Sequence, residues 1–240
     1  MRIGLIGAGN MGSAMARGWG RPVLASDNGS GRAAALVAEL GGEVVDNDVI
    51  AERADLVVLA HKPAQLEAVA EGLEPERVLS VLGGRTIEQL RAAYPGARVT
   101  RVEPNTPVAL RQGVLVVPKE GDEDAEVVAL LEELGAVIRV PEAQMEPAGA
   151  ISGVGPAYVA LVAEAWADAA VKAGLPAPTA VALVTETLAG AAALLREQDT
   201  LAVRRGVTSP GGTTARGLAA LEREGLRRAF AAAMDDVVAR

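Results

Sequence analysis

The sequence predicts an α/β domain followed by an all-α domain, and two observations lead to that prediction. Over residues 1–145, short β-rich apolar runs alternate with helical segments, which is typical of parallel strands covered by helices. Over residues 146–240, the strand signal stops and apolar residues recur with helical spacing. A chain of 240 residues has room for one to two domains of ordinary size.

The first domain is expected to contain seven strands, because seven short runs combine β-branched and apolar residues. Helical segments lie between several of the runs, as βαβ units require. In chain order the predicted strands are Arg2–Ile6, Pro22–Ala25, Leu56–Ala60, Val78–Leu82, Val99–Val102, Val114–Val117 and Val137–Val140, and the clearest helices between them are Ala33–Leu40 and Ala64–Gly72.

The second domain is predicted to consist of long helices rich in Ala and Leu. One begins near Tyr158 and is ended by Gly174 and Pro176, the usual order of residues at a helix C-terminus. A second presents Val181, Val184, Leu188, Ala191 and Leu195 at helical spacing. Since about 95 residues of such helices form a thin unit with which to bury their own apolar faces, we expect a dimer interface here.

Composition excludes several classes of site. The chain has no Cys and one His, which excludes a disulfide framework, a Cys-ligated metal and a His-rich metal cage, so no metal site is expected. A net charge of −8 argues against nucleic acid or an anionic membrane as the main partner. Asp and Glu residues interrupt the apolar stretches that a membrane-spanning helix would need, so we expect a soluble, cytoplasmic protein.

A glycine-rich segment indicates a dinucleotide site. Gly7-Ala8-Gly9-Asn10-Met11-Gly12 follows the first predicted strand and begins a helix, which is the order that this motif requires. The first glycine allows the tight turn, the second lets the backbone approach a pyrophosphate, and the third lets the helix pack close to the strand. The helix N-terminus then supplies N–H groups to the phosphates.

The end of the second strand leaves the type of dinucleotide open. Asp27 lies twenty positions after Gly7, where an acidic residue usually binds the adenosine ribose and favours NAD. Arg32 follows closely and is able to meet the 2′-phosphate of NADP. The sequence therefore predicts NAD or NADP without choosing between them.

The segment Ser209-Pro210-Gly211-Gly212-Thr213-Thr214 indicates a second site. Pro210-Gly211-Gly212 breaks the chain between helices, and Thr213 and Thr214 occupy the expected N-cap of the helix from Ala215. Such a turn offers free backbone N–H groups, hydroxyls and the positive end of a helix, a combination that suits a small carboxylate.

Over nearly its whole length, the chain resembles the pyrroline-5-carboxylate reductase family, which makes L-proline from the cyclic imine Δ1-pyrroline-5-carboxylate. The resemblance rests on five ordered motifs, of which the last is highly specific. They are Gly7–Gly12; Leu59-Ala60-His61-Lys62-Pro63; Arg101-Val102-Glu103-Pro104-Asn105-Thr106-Pro107; Ser152-Gly153-Val154-Gly155-Pro156-Ala157-Tyr158; and Ser209–Thr214 with Gly217-Leu218 and Glu222.

The resemblance implies a Rossmann-type dinucleotide-binding domain over 1–145 and a helical substrate-binding and dimerisation domain over 146–240. It implies an NAD(P)H-dependent enzyme acting on a CH–NH group, and a homodimer that assembles into larger rings. The cofactor residues would be Ile6, Gly7, Ala8, Gly9, Asn10, Met11, Gly12, Ser26, Asp27, Asn47, Ala60, His61, Lys62, Pro63 and Asn105. The substrate residues would be Ser209, Gly211, Gly212, Thr213 and Thr214, with the catalytic hydroxyl of Thr214 near the imine nitrogen.

Several positions depart from the family pattern, among them Gly83, since Gly83-Gly84 stands where the family often has Ala-Gly. His61, Glu103 and Val154 stand where the family usually has Val, Met and Ser, and Gly149 stands where it often has Thr. His61 is the only histidine of the chain. We interpret it as a residue that packs within the protein or borders the cofactor, in preference to a general acid.

Hydride transfer to a protonated imine needs positioning and charge stabilisation more than a strong protein acid, which agrees with a site of hydroxyls. Two alternatives are weaker. A β-hydroxyacid dehydrogenase would place a Lys a few residues into the helix after its Gly-rich turn, whereas here no Lys follows Gly155 until Lys172. A dinucleotide sensor without turnover would not need the Ser209–Thr214 turn.

Overall fold

The computed structural model describes residues 1–122 and 124–238. It separates into two compact units, Met1–Pro156 and Ala157–Arg240. The first contains parallel strands and helices, and the second contains helices, so the predicted fold class is confirmed. The predicted domain boundary between residues 145 and 146 stays a prediction. It lies eleven residues before the division by contacts, within the helix that follows the last strand.

Six parallel strands form the main sheet of the first unit, in the order β3-β2-β1-β4-β5-β6. Its central strands are buried, as expected of a parallel sheet covered on both faces. The short, exposed β3 was not among the predicted strands, because three residues of mixed polarity carry no strand signal. The strands are β1 Ile3–Ile6, β2 Val23–Ser26, β3 Gly42–Val44, β4 Leu56–Leu59, β5 Arg77–Ser80 and β6 Arg98–Arg101.

Helices cover both faces of this sheet and leave two separate apolar cores. One core packs Met15, Trp19 and Leu131 against the sheet, and the other packs Ile50 and Leu90. The helices are α1 Asn10–Trp19, α2 Arg32–Leu40, α3 Asn47–Arg53, α4 Leu66–Ala70, α5 Ile87–Ala93 and α6 Ala125–Glu132, with short 3-10 turns at Pro63–Gln65, Thr106–Leu110 and Glu142–Gln144.

Three further strands form a small second sheet: β7 Glu103–Pro104, β8 Gly113–Pro118 and β9 Gly135–Val140. β7 pairs antiparallel with β8, and β8 pairs parallel with β9. The expected strands near Val114 and Val137 therefore form, but they do not extend the main sheet. Pro104 and Pro107 follow β6 closely, and proline lacks the N–H that a continuing ladder would need.

The helical unit leaves long apolar faces uncovered within the chain. Its helices are α8 Gly155–Lys172, α9 Ala177–Glu197, α10 Thr200–Gly206, α11 Thr213–Arg223 and α12 Leu226–Val238; α7 Met145–Ser152 precedes them. Leu161 is 64% exposed and Leu183 is 55% exposed. By length and composition alone, Glu142–Lys172 and Ala177–Glu197 are long and apolar enough to cross a membrane. These faces require a covering, by protein or by lipid.

Asp124 anchors the amino end of α6 to the main sheet. Its carboxylate accepts from the backbone N–H groups of Glu126 at 3.1 Å and Val127 at 3.3 Å. It also pairs with Arg77 Nε at 2.9 Å, at the start of β5, and with Arg98 Nη1 at 3.2 Å, at the start of β6. Burial raises the pKa of this carboxyl, but the arginines and the N–H of Val127 outweigh burial, and the pKa lies below its ordinary value.

We expect Asp124→Asn to lower the free energy of unfolding by about 1–3 kcal/mol at pH 7, because it removes the buried carboxylate charge that pairs with Arg77 and Arg98. A carboxyl whose pKa is lowered in the folded state stabilises the fold fully at pH values above its ordinary pKa of 3.8. This contribution is lost as the pH falls through the folded-state pKa. The difference between parent and variant in urea unfolding should therefore shrink below about pH 4. The exposed Asp235→Asn is the control, and an equal loss there would contradict the anchoring role.

Candidate cofactor and substrate sites

The glycine-rich turn lies at the carboxyl ends of β1 and β4 and is held against the end of β4. Gly7 has a φ of +104°, and a Cβ there would lie 2.6 Å from the backbone nitrogen of His61. A Cβ on Gly12 would lie 2.6 Å from the carbonyl oxygen of Gly7 and 2.9 Å from Cβ of Ala60. The first and third glycines therefore have the roles that the motif predicts: the turn and the close packing of α1 need them.

The beginning of α1 is shaped to hold an anion. Gly9 is its N-cap, no side chain caps it, and no acidic residue occupies its first turn. A Cβ on Gly9 would meet only the carbonyl oxygen of Ala60, at 3.9 Å, so a ligand can approach this backbone closely. Because Asn10 and Met11 lie in the first turn of α1, their backbone N–H groups have no acceptor within the helix. These features fit the pyrophosphate of a dinucleotide.

The residues after β2 are organised by hydrogen bonds of their own. Ser26 Oγ donates to Oδ1 of Asn47 at 2.6 Å, which brings two of the predicted cofactor residues together. The Asp27 carboxylate accepts from the N–H groups of Ala33 and Gly29, both at 2.8 Å, and from the Ser30 hydroxyl at 3.0 Å. The Ala33 N–H above all holds the pKa of Asp27 below its ordinary value. Asp27 thus orders the loop before α2, and its expected contact with the ribose stays a prediction.

The segment from Ala60 to Pro63 leaves β4 beside the glycine-rich turn. Ala60 N–H donates to the carbonyl of Ile6 at 2.8 Å, so the two strand ends remain in register. Pro63 begins a short 3-10 turn, while the Lys62 side chain is exposed. The His61 ring lies partly buried, with Nδ1 at 3.0 Å from the carbonyl oxygen of Lys62. The structure therefore places all four residues at the same sheet edge as Gly7.

Asn105, the last predicted cofactor residue, is buried and its amide is used within the protein. Nδ2 donates to the carbonyl of Ser152 at 3.0 Å, and Oδ1 accepts from the N–H of Val114 at 2.8 Å. These bonds tie the end of α7 to β8. A contact between Asn105 and the cofactor stays a prediction, whereas its bridging role is visible in the structure.

The Ser209–Thr214 turn forms as a loop between α10 and α11, but its cap differs from the prediction. Gly212 is the N-cap of α11, and Thr213 and Thr214 are the first two helical residues, without a side-chain cap. The reason is the tight turn in which Gly212 N–H donates to the carbonyl of Ser209 at 3.0 Å, with Gly211 at a φ of +68°. The helix therefore starts two residues earlier than expected, at Thr213 and not at Ala215.

Arg216 is a charged residue of this loop that the sequence interpretation missed. Its Nη1 donates to the carbonyl of Gly211 at 3.1 Å, so a cation lies against the turn. An arginine four positions after a Gly-Gly turn would have been the signal, because one helical turn brings its side chain back to the helix start. Together with the N–H groups that begin α11, it makes the loop locally positive in a chain of net charge −8.

Two departures from the family pattern meet beside the buried side chain of Arg101. The Arg101 guanidinium, 7% exposed, pairs with Glu103 at 2.7 Å and with Glu142 at 3.0 Å. Gly149 lies beside this cluster in α7: a Cβ there would be 2.2 Å from Oε2 of Glu103. A glycine at 149 therefore makes room for a glutamate at 103. Nothing in the structure explains Val154.

No group of three or more His, Cys, Asp or Glu side chains suited to a metal occurs within residues 1–122 and 124–238. A cavity of about 420 Å³ lies in the first unit, at the end of the main sheet opposite to the glycine-rich turn. Its lining includes Met1, Asp55, Arg77 and Glu133. It lies at the amino ends of the strands, because Met1 and Asp55 precede β1 and β4 and Arg77 begins β5, whereas the glycine-rich turn lies at their carboxyl ends.

Comparison with known proteins agrees with both parts of this description. Residues 2–84 match the family described as NADP oxidoreductase coenzyme F420-dependent, and residues 142–240 match pyrroline-5-carboxylate reductase dimerisation. A pyrroline-5-carboxylate reductase from Synechocystis is 37% identical, with 77% of this chain and 73% of the relative covered. Pyrroline-5-carboxylate reductase 3 of Mus musculus is 33% identical, with 100% of this chain and 94% of the relative covered.

The chain belongs to the pyrroline-5-carboxylate reductase family. Membership confirms the resemblance that the five motifs indicated, and with it the predicted class of enzyme. Among solved structures, the pyrroline carboxylate reductase of Plasmodium falciparum with NADP bound matches with a TM-score of 0.85 and 27% identity, over 99% of this chain and 95% of that one. The whole architecture is thus shared with this family.

The contact between Gly149 and Glu103 yields a test by substitution. Gly149→Ala ought to stabilise an ordinary helix by about 1 kcal/mol. Here we expect that gain to be lost, because the new methyl must displace a carboxylate oxygen of Glu103, which pairs with the buried Arg101. Urea unfolding measures the change. In a Glu103→Ala background the same substitution should stabilise by about 1 kcal/mol, whereas an equal effect in both backgrounds would contradict the coupling.

Proposed function

We propose that the protein reduces Δ1-pyrroline-5-carboxylate to L-proline, the final step of proline biosynthesis, with NAD(P)H as hydride donor. The observation that carries the proposal is the Ser209–Thr214 loop, an uncapped helix start with Arg216 against it, in a chain that also has a glycine-rich dinucleotide turn. A turn that recognises a small carboxylate would have no use in a protein that only binds dinucleotides.

The glycine-rich turn and the end of β4 bind the cofactor. The N–H groups of Gly9 to Gly12 hold the pyrophosphate, and the segment Ala60–Pro63 borders the same site. When bound, NAD(P)H supplies a hydride from C4 of its dihydronicotinamide to the carbon of the protonated imine, which becomes a CH–NH group. No proton has to be delivered to nitrogen during transfer, because the electrophile already carries it.

The loop positions the substrate and compensates its charge. Backbone N–H groups at the start of α11 bind the carboxylate of the ring, and Arg216 increases the positive potential there. The Thr214 hydroxyl, partly buried and not used as a cap, accepts from the iminium N–H and so orients the ring for attack. Orientation is the main contribution that this reaction needs from the protein.

The first test measures the oxidation of NADPH and NADH when pyrroline-5-carboxylate is added, in parent, Thr214→Ala and Thr214→Ser. We expect turnover by the parent, a fall of about tenfold or more in kcat/KM for the alanine variant and a smaller fall for serine, which keeps the hydroxyl. Cofactor binding without oxidation in the parent would favour a dinucleotide sensor instead. Full kcat/KM in Thr214→Ala would remove Thr214 from the mechanism.

We also propose that the exposed faces of α8 and α9 are covered by a second copy of the chain, so that the functional unit is a soluble, cytoplasmic homodimer, and that dimers assemble into larger rings. Support comes from the match of residues 142–240 to a dimerisation family, which spans both apolar helices. Lipid is the alternative covering, but each helix also carries acidic residues, namely Glu164, Asp168 and Glu186, which a bilayer would disfavour.

Light scattering in detergent-free buffer tests the assembly. The parent should have a mass of twice 24.5 kDa or a multiple of that dimer. Leu161→Glu, at a site 64% exposed in the chain, should shift it towards the monomer, because a charge would be buried at the interface. Leu110→Glu, at a leucine 77% exposed in the other unit, is the matched control. A parent that is monomeric or needs detergent would contradict the proposal.

A further inference from the structure

Arg85 joins two loops at the carboxyl ends of β4 and β5. Its Nε donates to the carbonyl of Pro63 at 2.9 Å, and its Nη1 pairs with Oε1 of Glu67 at 3.0 Å. Pro63 begins the 3-10 turn after β4, and Glu67 lies in the first turn of α4. One side chain from the loop after β5 therefore holds the segment that follows β4.

The two contacts of Arg85 differ in their surroundings. The Arg85 side chain is only 19% exposed, whereas Glu67 is exposed, and an ion pair to an exposed carboxylate contributes little. The Pro63 carbonyl also accepts from the N–H of Leu66, which is buried in the core. The guanidinium is thus attached to a turn that is itself anchored, and the bond to Pro63 is the contact that fixes backbone.

The loop that carries Arg85 is a tight glycine turn. Arg85 N–H donates to the carbonyl of Leu82 at 3.3 Å, and Gly84 between them has a φ of +74°, which glycine adopts without strain. Before the turn, Val81 N–H donates to the carbonyl of Leu59 at 3.1 Å. The base of the Arg85 side chain is therefore held in register with the end of β4.

The order of the strands places this contact at one half of the dinucleotide site. In the main sheet, β1 lies between β2 and β4, and β5 follows β4. A dinucleotide lies across the carboxyl ends of such strands, with its pyrophosphate at the helix after β1 and its adenosine ribose at the end of β2. The nicotinamide half then extends towards the ends of β4 and β5, which Pro63 and Arg85 join.

We infer that Arg85 is a positioning residue for the nicotinamide half of the cofactor, because it fixes the segment Ala60–Pro63 that borders this half. It acts through the Pro63 carbonyl, and no contact of its own with cofactor or substrate is assigned to it. A border that is ordered before the cofactor arrives lowers the entropic cost of binding. This role rests on the proposed function in that NAD(P)H binds at this edge of the sheet.

Direct binding to the substrate-free protein tests this role without turnover, with NADPH and NADH followed by fluorescence and ADP-ribose and its 2′-phosphate by calorimetry. Arg85→Met keeps the apolar stem and removes the donors, whereas Arg85→Lys keeps a cation that can donate to the Pro63 carbonyl. We expect Kd of the reduced cofactor to rise about 5–10-fold in Arg85→Met and to stay within about threefold of the parent in Arg85→Lys. The fragments lack nicotinamide, so their Kd should stay within about twofold in both variants.

Glu67→Gln is the matched control, because it removes the charge of the exposed partner and leaves the bond between Arg85 and Pro63. Its Kd for the reduced cofactor should stay within about twofold of the parent. Unchanged cofactor Kd in Arg85→Met, an equal loss for the fragments, an equal loss in Glu67→Gln or no recovery in Arg85→Lys would overturn the inference while leaving the proposed function intact. A parent that binds neither cofactor would overturn both.

Discussion

The close approach of the glycine-rich turn to the end of β4 is the constraint on which the nucleotide half of the molecule depends. Backbone atoms of Ala60 and His61 occupy the space that a side chain at position 7 would need, and Gly7 itself occupies the space of a side chain at position 12. Only with both positions free of Cβ can α1 start directly above the sheet and direct its first N–H groups outwards. The pairing of β1 with β4, the packing of α1 on the sheet and the binding of an anion therefore all depend on this one contact.

Away from that contact, a few buried ionic groups hold the elements in place. Asp124 joins the start of α6 to the amino ends of β5 and β6, whereas Arg101 joins the carboxyl end of β6 to Glu103 and Glu142. Asp124 pairs with two arginines and Arg101 with two glutamates, and buried ions are tolerated when they are paired in this way. The second of these clusters ties the small sheet and the start of α7 to the main sheet.

Two departures from the family pattern, Glu103 and Gly149, make physical sense only as a pair. A glutamate at 103 would crowd an ordinary residue at 149, and the glycine there removes the conflict. The glutamate in turn requires a cation, which Arg101 supplies. The change at Glu103 is thus compensated inside the fold. His61 is a separate departure, which lies beside the glycine-rich turn at the end of β4.

Much of this protein was determined by sequence alone, because local patterns suffice for it: the alternation of strands and helices, the glycines at 7, 9 and 12, and the helical second half are all properties of neighbouring residues. The family and its reaction were also evident, since the Ser209–Thr214 motif is so specific. The sequence did not predict the separate small sheet or the helix start at Thr213, which depend on how prolines and a tight Gly-Gly turn redirect hydrogen bonds.

Only the tertiary structure decided which polar side chains are already occupied. Asn105 reads as a free cofactor ligand in sequence, but in the folded chain its amide donates to the carbonyl of Ser152 and accepts from the N–H of Val114. The closeness of Gly149 to the Glu103 carboxylate is equally invisible until distant segments meet. A sequence specifies which donors and acceptors exist, whereas their pairing depends on three-dimensional distances between residues that are far apart along the chain.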